Sequence, residues 1–379
     1  MQAAVERPGV LFRTDASRRI GAGHVMRCLA LADELADCGV ASVFVCRAHD
    51  GHMAQEIRQQ GHRVVLLPLE AGLASDESTE DRPDYVTWLG APLARDAQQT
   101  VHAIAATPLC WVIVDHYAID FQWERQIKDA TGAKVMAIDG LANRRHDCEL
   151  LLDPTYSSEG KARWDGLLPS ASLLMVGPQF ALLRSEFTFE KRKLRQRNGI
   201  VKRIFLGFGG VDEFNATEVV LEALEGLAGP DLALDVVIAA ANPHRVQLLE
   251  KYQGHAGVCL HVQPAGMAEL MANADLAVSA GGTMLLEQCF MELPAVVCSI
   301  AANQVRAARG LHERGAILYI GEFDADKPDM TKQLVRQHVL QLLSEPSRLV
   351  GMQSICRQMM MRPDPSLSQT LLNLSNETH

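Results

Sequence analysis

The sequence predicts an α/β protein made of two doubly wound parallel-sheet domains that face each other across a cleft. Three observations predict it. Short β-rich apolar runs alternate with helix-patterned segments nearly throughout, as expected for parallel strands joined by crossover helices. The alternation runs to completion twice, once on each side of a basic stretch at 191–202. The chain has 379 residues, 48% of them hydrophobic, enough for two cores that need no disulfide or structural metal.

The first domain is expected over 8–190. Runs at 10–13, 42–46, 63–67, 111–114, 134–138 and 173–176 read as its strands. Between the first two, Val25, Cys28, Leu29, Ala32, Leu35 and Ala36 recur every three or four residues, an amphipathic helix that Cys38 and Gly39 close. The stretch 191–202 clusters Lys191, Arg192, Lys193, Arg195, Arg197 and Lys202; a solvated interdomain linker is preferred over a nucleic-acid patch. The second domain, 203–350, repeats the theme with strands at 203–208, 234–239, 258–262, 276–279, 295–298 and 317–320 and helices at 218–226, 266–272 and 304–314. Residues 351–379 read as helices that pack back on the first domain, by analogy with other two-domain folds.

Charge and composition exclude several function classes. A net charge of −10, from 36 Lys+Arg and 46 Asp+Glu, argues against broad nucleic-acid binding but leaves room for a small anion held by helix ends and backbone N–H groups. Nine scattered cysteines without a CxxC pair read as reduced thiols, not as a zinc ribbon or a disulfide framework. No apolar leader or membrane-spanning run is evident, so a cytoplasmic protein is expected, with no membrane partner. No metal site and no cofactor is expected, and the oligomeric state is left open. The acidic loop at 70–84 reads as a mobile lid or a solvated segment.

In doubly wound sheets ligands bind beyond the carboxyl ends of the strands, so the loops there are the candidates for chemistry. The first runs from Arg13 and Asp15 through Gly21 and Gly23 to His24. The glycines permit positive φ or close backbone approach, and a histidine on the first turn of a helix is biased towards the neutral ring, ready to accept a proton. A tight turn with a packing histidine is the structural alternative. The second loop reads Asp115, His116, Tyr117; the aromatic ring can meet a sugar, or Asp115 can cap the next turn and Tyr117 pack on its own helix. The third and fourth loops, Gly209–Gly210 and Gly281–Gly282–Thr283, suit a diphosphate, and Glu287 one turn further on suits ribose hydroxyls. Close packing at the glycines and an ordinary exposed glutamate are the alternatives. No Walker lysine or complete GxGxxG is present. In the last loop Asn303, followed by Gln304, is placed to cap a helix or to present its amide to a ligand.

Several longer runs carry a more specific signal. They are Ile20 to Cys28 (IGAGHVMRC), Trp88 to Gly90 with Asp96 and Ala97, Val114 to Asp120 (VDHYAID), Leu141 to Asp153, Gly177 to Arg184, Phe208 to Asp212, and Asn303–Gln304. In order and spanning most of 10–305, they resemble the UDP-2,4-diacetamido-2,4,6-trideoxy-β-L-altropyranose hydrolases of pseudaminic acid biosynthesis. The resemblance implies two Rossmann-like domains in a glycosyltransferase-B-like arrangement of the MurG kind, with UDP on the second domain and the sugar on the first. It implies His24 as general base, with Tyr117 and Asn303 as further catalytic residues. Water replaces the usual acceptor, and inverting, metal-independent C–O cleavage releases UDP and the free sugar. A glycosyltransferase using a UDP-sugar donor, or an inactive UDP-sugar-binding protein, is the alternative. The chain departs from the family pattern at Asp139–Gly140, where many members have two acidic residues. It departs again at Met284–Leu286, where hydroxyl residues and a tryptophan are common.

Overall fold

The computed structural model describes residues 9–70, 84–104 and 107–376 and divides into two compact units. The acidic loop expected at 70–84 lies almost wholly outside the described residues. The first unit takes residues up to 155, 159–182 and 362 onward; the second takes 156–158 and 183–361.

The first unit holds β1 (Gly9–Thr14), α1 (Gly23–Asp37), β2 (Ser42–Arg47), α2 (Ala54–Gln59) and β3 (Arg63–Leu67). After a 3-10 turn at Asp84–Leu89 come α3 (Leu93–Ile104), β4 (Leu109–Asp115), α4 (Phe121–Thr131), β5 (Lys134–Ile138), β6 (Leu150–Asp153) and β7 (Leu173–Val176). All seven strands are parallel in the order β3-β2-β1-β4-β5-β6-β7. Alternate strand residues feed two cores, because successive side chains leave opposite faces of the sheet. Phe12, Phe44, Trp111 and Met136 pack with α1, while Leu11, Val45, Val112 and Val135 pack with α3 and α4. Phe12 and Phe44 stack at 4.8 Å. The periodic face of α1 is buried at Val25, Cys28, Leu29, Ala32 and Leu35, and the chain turns away at Gly39, whose φ of +76° suits glycine.

The second unit contains α5 (Ser185–Lys191), β8 (Arg203–Gly207), α6 (Ala216–Ala223), β9 (Ala233–Ile238), α7 (Arg245–Tyr252), β10 (Val258–Val262), α8 (Met267–Asn273) and β11 (Leu276–Ala280). It continues with α9 (Met284–Phe290), β12 (Ala295–Ser299), α10 (Ala302–Glu313), β13 (Leu318–Glu322), α11 (Pro328–Ser344) and α12 (Pro346–Met359). Its six parallel strands run β10-β9-β8-β11-β12-β13. Ile204, Leu206, Leu234 and Val236 form its core with α6 and α11.

In each unit the strand order reverses once, between β1 and β4 in the first and between β8 and β11 in the second. A crevice opens at such a switch point because the crossovers leave in opposite directions. The four loops singled out by their glycines, histidines and aspartates are the ones that follow these four strands.

Three features differ from the expected layout. β6 is a four-residue strand, LLLD, too short to show a period and embedded in a polar run. The basic stretch at 191–202 is exposed at Arg192, Lys193, Arg195 and Lys202 but is also anchored: Arg197 is buried and donates to the carbonyls of Met271, Ala272, Ala274, Met291 and Glu292, while Arg195 donates to Asn273 and pairs with Asp275. These are the unsatisfied carbonyls at and beyond the C-terminal ends of α8 and α9, a demand that charge counting does not see. The C-terminal helices divide at 361/362, with α12 in the second unit and α13 (Leu367–Asn376) in the first. There Leu367 and Leu371 join the α1 core and Trp111 Nε1 donates to the Leu371 carbonyl at 3.1 Å.

Candidate functional site

The loop after β1 is a small closed turn. Ser17 Oγ accepts the Ile20 N–H at 2.9 Å, the Gly21 N–H returns to the Ser17 carbonyl at 2.8 Å, and Gly21 carries a φ of +80°. This turn delivers the chain into α1 with Gly23 as its first residue and His24 as its second.

His24 Nδ1 lies 2.6 Å from Asp115 Oδ1, at the end of β4. A carboxylate only accepts, so Nδ1 carries a proton, and in the neutral ring Nε2 is left with the lone pair. Arg27, one turn along α1, meets both oxygens of Asp115, Nε to Oδ2 and Nη2 to Oδ1, each at 2.5 Å. Burial alone would raise the Asp115 carboxyl, but Arg27 and His24 outweigh it and hold the group well below the usual carboxylate range. Asp115 is thus a permanent anion with no exposed surface, which orients His24 and has no face for a ligand.

Tyr117 packs edge-on against His24 with ring centroids 4.7 Å apart. Burial raises its phenol pKa, so the hydroxyl stays protonated. Tyr85 and Trp88, from the 3-10 turn, extend the cluster at 5.8 and 6.2 Å from the Tyr117 ring. Neither was expected at the site, Trp88 being marked only as part of a matching run, because a single turn of helix has no periodicity. Arg27 did leave a signal, being three residues after His24 on the same helix face.

Arg13, Asp15 and His116, expected to bind substrate, are instead buried side chains in a network beneath this site. Arg13 bridges Asp15 at 2.8 Å and Asp96 at 2.6 Å; Arg47 Nη2 meets Asp96 at 2.5 Å, and Trp123 Nε1 donates to Asp96 at 2.9 Å. Asp15 Oδ1 accepts the Arg47 N–H, tying the loop to β2. His116 Nδ1 accepts the Ala118 N–H, so Nε2 bears its proton and points at Asp15 Oδ2, 3.5 Å away. Burial pushes its pKa down to about 3 and keeps the ring neutral. Charges placed at a loop look like ligand contacts in a sequence, yet here Arg13 and Asp15 pair with each other and are held by Asp96 and the Arg47 N–H from distant parts of the chain.

A second buried network stands behind β4 and β5. His146 lies between Glu124 (2.7 Å) and Asp139 (3.1 Å), and Arg144 pairs with Asp139 at 2.9 Å. Gly140 explains one departure from the family pattern: a Cβ there would lie 2.9 Å from Thr155 Cγ2, and Arg163 donates to the Gly140 carbonyl. An acidic side chain has no room.

In the second unit, Gly209 and Gly210 are exposed, Gly209 at a φ of +81°, with open space where side chains would be. The Asp212 carboxylate just after them caps α6 through the N–H groups of Ala216 and Thr217. Gly281 sits tightly, since a Cβ there would come within 3.3 Å of Gln304 Cβ and Ser299 Oγ. Gly282 and Thr283 are half-buried at the start of α9. Of the residues that depart from the family at 284–286, Leu285 is buried in the core. Glu287 is partly occupied by Arg184, at 3.0 Å, and burial raises its carboxyl pKa against that cation. Asn303 does not cap α10. The N-cap position is Ala301; Gln304 Oε1 takes the Ile300 N–H at 3.0 Å, and Asn303 is exposed on the first turn.

No protein-family model matches the chain. Solved structures share the architecture: MurG of Acinetobacter baumannii is 15% identical with a TM-score of 0.59 over 98% of this chain and 100% of that one. The spinosyn rhamnosyltransferase SpnG is 14% identical with a TM-score of 0.64, over 97% of this chain and 100% of that one. The chain has a glycosyltransferase-B-like fold. Within the GT-B-like fold each unit is a Rossmann-like parallel sheet, and each switch point is flanked by one pair of the loops described above. By sequence, the chain is 24% identical over 306 residues to the UDP-2,4-diacetamido-2,4,6-trideoxy-β-L-altropyranose hydrolase of Campylobacter jejuni, covering 81% of this chain and 97% of that one. Among the described residues no helix is long and apolar enough to cross a membrane.

Proposed function

We propose that the protein cleaves the anomeric C–O bond of a UDP-linked sugar, with water as the attacking group and UDP as the leaving group. The observation that carries this reading is the His24–Asp115 pair, which leaves Nε2 of His24 as a proton acceptor. The similarity to a UDP-diacetamido-sugar hydrolase along almost that protein's whole length supports the choice of substrate class.

In this reading the first unit holds the sugar, and the second unit holds UDP through the backbone at Gly209–Gly210 and Gly282–Thr283. A water oxygen attacks the anomeric carbon, the bond to the diphosphate oxygen breaks, and its electron pair leaves with UDP. His24 Nε2 takes the water's proton, and Asp115 stabilises the imidazolium that forms. UDP is a good leaving group, so the protein supplies a base and charge stabilisation rather than a strong acid. A single displacement inverts the anomeric centre. The half-buried Tyr117 offers a ring and a protonated hydroxyl to the sugar, and the exposed amide of Asn303 is free to turn towards a ligand.

A second reading, transfer to a hydroxyl acceptor, is favoured by the fold shared with a rhamnosyltransferase, since the same base can deprotonate either nucleophile. The test is release of UDP and reducing sugar from UDP-linked 2,4-diacetamido sugars without acceptor. Hydrolysis predicts turnover in water alone, and His24→Ala should lower it by about 10²- to 10⁴-fold. Turnover that requires an added sugar acceptor identifies a transferase.

A further inference from the structure

We propose that Arg27 is a positioning residue: by cancelling the charge of Asp115, it lets a carboxylate orient His24 without locking it into an ion pair. The inference rests on the reading of His24 as the base.

A buried carboxylate 2.6 Å from His24 fixes the ring's orientation, but alone it favours imidazolium, which cannot accept a proton. Arg27 removes the conflict by occupying both oxygens of Asp115 at 2.5 Å, so the ring faces a neutral pair. The same Nη2 lies 3.1 Å from His24 Nδ1, and the Tyr117 ring packs on His24. One side chain therefore sets the base and its orienting carboxylate together.

The other titratable groups nearby do not replace it. Cys28, on α1, donates weakly to Asp115 Oδ2 at 3.6 Å, and burial keeps its thiol protonated. His116 is neutral and faces Asp15, which is paired with Arg13. Asp139, which bears on Tyr117, is held by Arg144 and His146. Arg27 is the cation in contact with Asp115 among the described residues.

The test compares wild type, Arg27→Met and Arg27→Lys by pH profiles of UDP-sugar hydrolysis and by ring-nitrogen NMR of His24, with thermal melts confirming folding. Arg27→Met should move the acid limb of kcat/KM upward by about one pH unit or more and lower kcat at pH 7 at least tenfold. In parallel, the ring nitrogens of His24 should titrate at higher pH. Arg27→Lys keeps the charge but cannot span both carboxylate oxygens as a fork, so the limb should stay in place while kcat falls about tenfold. An Arg27→Met limb at the wild-type pH, or an Arg27→Lys enzyme with wild-type kcat, overturns the proposal. If Arg27→Met does not fold, the Arg27→Lys result decides. If the wild-type protein releases no UDP, the functional reading fails by itself. The ring titration then decides on Arg27, and unchanged values in the variants overturn it.

Discussion

Asp115→Asn isolates the orienting carboxylate with almost no change of volume. Asp115 accepts from His24 Nδ1 and from Arg27 Nε and Nη2, at 2.6, 2.5 and 2.5 Å, and has no exposed surface. An amide has one accepting atom, so it satisfies either the arginine fork or the histidine. With the oxygen turned to Arg27, its NH₂ faces Nδ1, and His24 relaxes by moving its proton to Nε2, where it can no longer act as a base. A wrong tautomer in a His–Asp pair costs on the order of 10³- to 10⁴-fold in kcat, about 4–5 kcal/mol in the barrier. KM should change little, because Asp115 has no face for substrate. Stability should drop by about 3 kcal/mol, since Arg27 keeps only part of its pairing. Steady-state UDP release, with a circular-dichroism melt of the same sample, reads all three quantities. A folded Asp115→Asn protein with kcat within about threefold of wild type, alongside an inactive His24→Ala, refutes the orienting role.

Three further outcomes follow from the buried networks. His146 is buried, which alone would lower its pKa, but Asp139 and Glu124 raise it to about 9. The stability it contributes is fully present below the unfolded value of about 6.5, and it is lost as pH rises through 9. Urea melts should therefore weaken by about 3 kcal/mol across that window, and His146→Gln should flatten the slope. Arg197→Met leaves the carbonyls after α8 and α9 without donors. It should cost about 3 kcal/mol and speed amide exchange around 271–276 and 289–293 while leaving α1 protected. Gly140→Asp should destabilise by about 1–3 kcal/mol in denaturant melts, with partial recovery in Gly140→Asp/Thr155→Gly.

What the sequence revealed follows from which interactions are local. The long periodic run at 25–36 and the β-rich runs flanked by polar loops read out their elements directly, because burial on one face or on both leaves a pattern in neighbouring residues. His24 and Tyr117, each legible as a loop residue, lie beside each other because both follow strands at a switch point. The roles of Arg13, Asp15 and His116 were not legible. A charged residue at a loop is usually solvated, whereas Arg13 is paired with Asp96, 83 positions away, and Asp15 accepts the N–H of Arg47, 32 positions away. Arg195 and Arg197 misled for the same reason: their partners are backbone carbonyls 74 to 95 residues away, which leave no trace in composition. Tyr85 and Trp88 lie on one short 3-10 turn, where neither period nor cap marks them.

Hydrolysis in oxygen-18 water tests the central claim most directly. Incubating the protein with a UDP-linked 2,4-diacetamido sugar and weighing both products should place the label in the sugar, at the anomeric oxygen, and leave UDP unlabelled. Label in UDP means attack at phosphorus, and it contradicts a mechanism in which His24 delivers water to the anomeric carbon.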